Sequence, residues 1–132
     1  MFEVKVDRIS ALVEIVVGGQ ILVEEMECLL SEVKAVLASL QGRGILIKAD
    51  VRGLRPVAPE VAEMLRRCMD HAVGTGVRRI GEIVESELVA LQIQRLARES
   101  GAERVLRCFR DEASAVEWLL HGDPAPGIKP GI

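Results

Sequence analysis

The chain has 132 residues, 49% hydrophobic and 28% charged, with 17 basic and 20 acidic residues giving a net charge of −3. That length and mix describe one ordinary globular domain with a real core, and the small negative charge excludes a general attraction to phosphate backbones. Tyr is absent and the aromatics are Phe2, Phe109 and Trp118. These are too few for a base-stacking platform, so nucleic acid is not an expected partner. Apolar runs such as Ile15–Val17 and Ile45–Ile47 are far below the roughly 20 residues that cross a bilayer. The opening MFEVKVD alternates charged and apolar residues and lacks the apolar block of a signal peptide. The expected setting is the cytoplasm. Cys28, Cys68 and Cys108 form no CxxC pair and have no neighbouring His, so they are expected as buried thiols of a reducing compartment. No metal and no other cofactor is expected.

Phe2–Val6 alternates apolar and charged residues, the period of a half-buried strand, and Asp7-Arg8 turns the chain into a second strand over Ile9–Val17. Gly18-Gly19 ends this hairpin. From Ile21 to Leu40 the positions Leu22, Met26, Leu29, Leu30, Val33, Val36, Leu37 and Leu40 recur every three or four residues, the stripe of an amphipathic helix. Glu24, Glu25, Glu27 and Glu32 fall mainly on its other side, toward the N-terminal half, where they suit the helix dipole. Ile45–Val51 is the central strand. It delivers a loop, Arg52–Ala58, to the sheet edge where open α/β proteins carry their sites.

Pro59 fits the first turn of the next helix, which runs over Glu60–Val73 with Val61, Leu65, Cys68, Met69 and Ala72 inward. Val77–Glu85 is a third parallel strand, in which Gly81 marks a bulge or the close approach of another backbone. Ser86 caps a helix to Glu99. On its wheel Val89, Ile93, Leu96 and Ala97 form one arc, and Leu88 and Leu91 lie well off it. Val105–Phe109 is the last strand and Asp111–His121 the last helix, with a stripe of Ala113, Val116 and Leu120 and with Trp118 at the sheet edge. GDPAPGIKPGI, residues 122–132, reads as a flexible C-terminal tail after a domain over 1–121. The fold class is therefore α/β: a five-stranded mixed sheet with an N-terminal hairpin and four helices, in the order β-β-α-β-α-β-α-β-α.

Three features resemble a known group: this element order, the Asp50-Val51-Arg52-Gly53 loop, and the closing FRDEASAVEWL at Phe109–Leu119. They are similar to the sulfate-transporter and anti-sigma-factor-antagonist (STAS) domains, and more closely to the bacterial STAS-like, anti-anti-sigma-factor-like proteins. The resemblance covers Met1 to about Leu120 and implies a regulatory module that works by protein contact. The related CRAL-TRIO domains bind lipids, so it also raises an apolar ligand or lipid. Anti-anti-sigma factors carry a phosphorylatable Ser just before the helix after the central strand. The matching stretch here, Val57-Ala58-Pro59-Glu60, has no hydroxyl, so that switch does not carry over.

No catalytic set is legible: His71 and His121 have no Ser, Cys or Asp arranged around them as nucleophile and base. The expected function is thus a non-enzymatic interaction module, with a carrier of a small apolar ligand as the alternative and an enzyme of unknown class as a weaker one. Its partner is a second copy, as in a homodimer, or another regulatory protein. The expected partner-binding residues are Asp50, Arg52, Gly53, Arg55, Glu60, Arg66 and Arg67, since Arg offers forked hydrogen bonds to carboxylate or phosphate. Leu88 and Leu91 are the expected oligomer interface.

Overall fold

The computed structural model describes residues 1–123; the tail expected over 122–132 lies outside them from residue 124 on. Five strands form one sheet in the order β1 (Phe2–Asp7), β2 (Leu12–Val17), β3 (Leu46–Asp50), β4 (Arg79–Ile83) and β5 (Leu106–Phe109). β1 is antiparallel to β2, and every later pair is parallel. The helices are α1 (Val23–Ser39), α2 (Pro59–Gly74), α3 (Glu87–Ser100) and α4 (Glu112–His121). Element order and sheet type are those expected from the sequence, and a 3-10 turn at Ala102–Arg104 is added before β5.

The hairpin turn is longer than the sequence implied. The Asp7 carboxylate accepts the N–H groups of Ile9 at 3.0 Å and Ser10 at 3.3 Å, a side-chain turn that takes Ile9 out of the strand and leaves it 92% exposed. Ala11, at φ 53°, brings the chain back into the sheet, where it is buried.

Each parallel strand is added on the same side of the last, so crossovers of one hand carry α1, α2 and α3 to one face. That face holds the main core. Val13, Ile47, Val51, Ile80 and Val84 of the sheet layer meet Met26, Leu29 and Val33 of α1, Val61 and Met69 of α2, and Val89, Ile93 and Leu96 of α3. Leu22 was expected on the α1 stripe but precedes the first helical turn and is exposed. There its N–H donates to Glu25 at 3.4 Å, and the other Glu25 oxygen takes the Met1 amino group at 3.0 Å.

α4 follows the last strand, is free of any crossover, and packs on the opposite face against β3, β4 and β5. Its buried residues are Ala115, Trp118 and Leu119, not the expected stripe of Ala113, Val116 and Leu120. Gly81 decides this. A Cβ there would lie 3.2 Å from Leu119 Cγ, so the missing side chain makes room for Leu119 on regular, unbulged strand. What approaches Gly81 is a side chain and not a backbone. Trp118, expected at the sheet edge, is buried against Phe109 with ring centroids 5.6 Å apart, and the Arg107 guanidinium lies 5.3 Å from its ring centre.

The three thiols differ. Cys28 is exposed on α1, contrary to expectation, and Cys68 and Cys108 are half-buried. Burial pushes both of the latter up to about 11. Among the described residues no helix is long and apolar enough to cross a membrane.

Candidate functional site

The loop after β3 is built from its own backbone. Asp50 Oδ1 accepts the Arg52 N–H at 3.1 Å and Nε at 3.0 Å, and Oδ2 accepts Nη2 at 2.7 Å. The Arg52 guanidinium holds the Asp50 carboxyl below its ordinary value against the opposing effect of burial. This forked pair closes the turn locally. Gly53 O then accepts the Gly19 N–H at 2.9 Å, and the Arg55 N–H donates to Gly19 O at 3.0 Å, so the loop is stitched to the end of β2.

One clamp ties the loop to α3. Gln92 Oε1 accepts the Val57 N–H and Gln92 Nε2 donates to Val57 O, both at 3.0 Å. A side-chain amide here takes the place of a neighbouring strand and satisfies a backbone pair that the loop would otherwise leave open. Sequence reasoning missed Gln92 because the pairing is between residues 35 apart, and nothing local marks it.

The other expected residues divide. Glu60 is exposed in the first turn of α2, beside Pro59 at the helix start. Arg66 and Arg67 lie further along α2 and both reach Glu63, at 2.7 Å and 3.4 Å. They are engaged on the helix surface and do not join Asp50 and Arg52. Leu88 and Leu91 are 63% and 60% exposed on α3. They share a shallow depression of about 360 Å³ with Pro56, Gln92, Arg95 and Arg98. The α3 reading thus leads into the loop, through Pro56 and Gln92.

On the α4 side of the sheet Lys48 bridges Glu14 at 2.7 Å and Glu112 at 3.1 Å. Burial alone would lower the Lys48 amine, and these hydrogen bonds outweigh it and hold the group above its ordinary value. The arrangement is a pair of surface bridges along an open polar face.

The other charged feature lies inside. Glu82 of β4 faces the α1–α3 core, is 8% exposed, and has an oxygen, Oε2, that meets no hydrogen-bond donor. It lines a crevice of about 80 Å³ with Ile15, Met26, Leu29, Val33, Leu65, Cys68 and Met69 among the other walls, and an adjoining lobe of about 40 Å³. Desolvation raises its carboxyl to about 8. The sequence held one signal of this: in RRIGEIVE, Glu82 is two residues from the inward Ile80, and a strand turns alternate residues to the same face.

The fold formed around these features is the SpoIIAA-like, STAS fold. Solved structures that share it include these two. One is an uncharacterised protein of the DUF3478 family with a SpoIIAA-like fold from Shewanella loihica PV-4, 18% identical, with a TM-score of 0.69 over 89% of this chain and 93% of that one. The other is an anti-sigma factor antagonist from Mycobacterium paratuberculosis, 12% identical, with a TM-score of 0.60 over 91% of this chain and 95% of that one. No family model matches the chain, and no curated protein does.

Proposed function

We propose that this chain is a regulatory protein-interaction module of the STAS type, without catalysis of its own, acting in the cytoplasm through the surface that loop 51–58 shares with α3. The observation that carries the reading is the exposed pair Leu88 and Leu91 beside Pro56, with Arg95 and Arg98 around the same depression. A fold shared with an anti-sigma factor antagonist supports it. Arg52, Gly53 and Arg55 extend the surface along the loop, and Glu60 borders it at the start of α2; Arg66 and Arg67, paired with Glu63, belong to its outer margin. The stretch Val57–Glu60 offers no hydroxyl, so docking here is not switched by phosphorylation at that point.

The partner is a second copy of the chain or a regulatory protein with an apolar, acid-rimmed patch. Covering both leucines contributes roughly 3–5 kcal/mol before the cost of association. Sedimentation of the wild type and of the double variant Leu88→Glu/Leu91→Glu tests this. The expected result is a wild-type dimer that becomes monomeric in the variant, with the same circular dichroism. A wild type that stays monomeric at high concentration and an unpartnered variant of identical behaviour overturn self-association, and a dimer indifferent to both substitutions overturns the placement of the surface.

A further inference from the structure

The crevice under Glu82 lies apart from the docking surface, since neither Leu88 nor Leu91 lines it. Across the sheet Glu82 sits beside Ala49 of β3 and Cys108 of β5. The walls of both lobes are otherwise apolar or sulfur-bearing, and Met26, Leu29, Leu65 and Met69 line both. A carboxyl oxygen out of reach of solvent and of any donor is costly unless something pairs with it. An aliphatic residue would fill this position without that cost, so the carboxyl points to an occupant that brings its own hydrogen-bonding group.

We propose that the crevice binds a small neutral amphiphile, an alcohol or phenol of about one ring, whose hydroxyl pairs with Glu82 and whose hydrocarbon body lies against Met26, Leu29, Val33, Leu65 and Met69. The size follows from the space. An apolar cavity of about 150 Å³ takes benzene, and the two lobes, about 80 Å³ and 40 Å³, are slightly smaller together. A full-length acyl chain does not fit. The charge follows from the walls: no Lys, Arg or His lines either lobe, so an anion would meet a carboxyl with no counter-charge. A hydroxyl both donates and accepts, and so completes the carboxyl in one contact. Access is past Leu65 and Cys68, the half-buried residues of α2 in the wall.

Cys68 lines the crevice and Cys28 is exposed elsewhere, which provides a reporter and an internal control. The experiment titrates the protein with phenol, cyclohexanol and benzene. It follows backbone amide resonances and, by peptide mass spectrometry, the rate at which iodoacetamide alkylates each thiol. Phenol and cyclohexanol are expected to shift the amides around Glu82 and Met69 and to slow alkylation of Cys68 several-fold, leaving Cys28 unchanged. They should bind about tenfold more tightly than benzene. Glu82→Leu should erase that preference and Glu82→Gln should keep part of it. Leu29→Trp, which fills the crevice, should abolish binding of all three probes. Wild-type protein in which no probe protects Cys68 overturns the proposal, as does a hydroxyl preference that survives Glu82→Leu. Should Glu82→Leu fail to fold, the pair Glu82→Gln and Leu29→Trp decides: binding kept in the first and lost in the second supports the site, and equal binding in both overturns it.

Discussion

Glu82 makes the stability of this fold depend on pH in an uncommon direction for a carboxylate. Its carboxyl is raised from 4.5 to about 8 by burial, so between those values the folded chain keeps a proton that the unfolded chain has released. Stability from this group is therefore complete below pH 4.5 and declines as pH rises through about 8. At roughly 1.4 kcal/mol per unit the whole window is worth at most roughly 5 kcal/mol. The titratable side chains whose own values respond to Glu82 are Cys68 of α2 and Cys108 of β5, and both stay neutral across the window because burial holds them near 11. The Lys34 ammonium of α1 acts on Cys68, and the Arg110 guanidinium after β5 acts on Cys108. The urea midpoint of the wild type is expected to fall between pH 5 and 9, and that of Glu82→Gln to show a much flatter profile; parallel profiles for the two proteins would remove Glu82 as the cause. The same residue shows what a sequence hides at this scale. Alternation along RRIGEIVE turns Glu82 inward, but charge on a strand reads as a solvated position, and only the helices over it make it a buried one. Asp50 and Arg52 present the reverse case. They are legible as charges at the site edge, and what the sequence hides is that their forked pair closes the turn.

Among the elements, α3 was the more legible helix and α4 the less. α3 has fourteen residues and opens on Ser86, whose Oγ accepts the Val89 N–H at 3.3 Å, and closes on Gly101 in the left-handed conformation at φ 78°. Four turns fix the direction of a stripe well, so its buried arc and the two stranded leucines both follow from spacing. α4 has ten residues, and over so short a run two stripes offset by one residue fit almost equally. The deciding information is the hole above Gly81, which belongs to another element. Because α3 carries Leu88, Leu91 and Gln92, its cap supports the whole of the proposed docking surface. Ser86→Ala is expected to cost roughly 1 kcal/mol, read as a lower urea midpoint, and Ser86→Asp to restore most of it. An unchanged midpoint in the alanine variant would show that tertiary packing alone holds the start of α3.

For the whole molecule the strand order is the governing fact. The loop after β3 is expected at the sheet edge where open α/β proteins carry their sites. Here strands β2 to β5 are added one after another with no reversal, so α1, α2 and α3 share a face. Element order was readable from alternating periods, since each period reflects local geometry. The absence of a reversal was not, because many strand orders fit the same succession of elements. The features proposed for function are of two kinds, an outer surface on α3 and its loop, and an inner crevice over β4. The two proposals give them different partners, and mutation separates them.

The Gln92 clamp has a consequence on the scale of time. Loop amides usually exchange with solvent hydrogen as fast as local fraying permits. The Val57 amide, donated to the Gln92 side chain of α3, exchanges when that side chain lets go. In native-state hydrogen exchange Val57 should then share the opening free energy and denaturant dependence of the α3 amides, and Gln92→Ala should release it to the fast regime. Exchange of Val57 at the rate of a free loop in the wild type would show that the clamp is only intermittently made. Held as expected, loop 51–58 and α3 open and close as one cooperative unit, so a partner that grips the helix also slows the breathing of the loop.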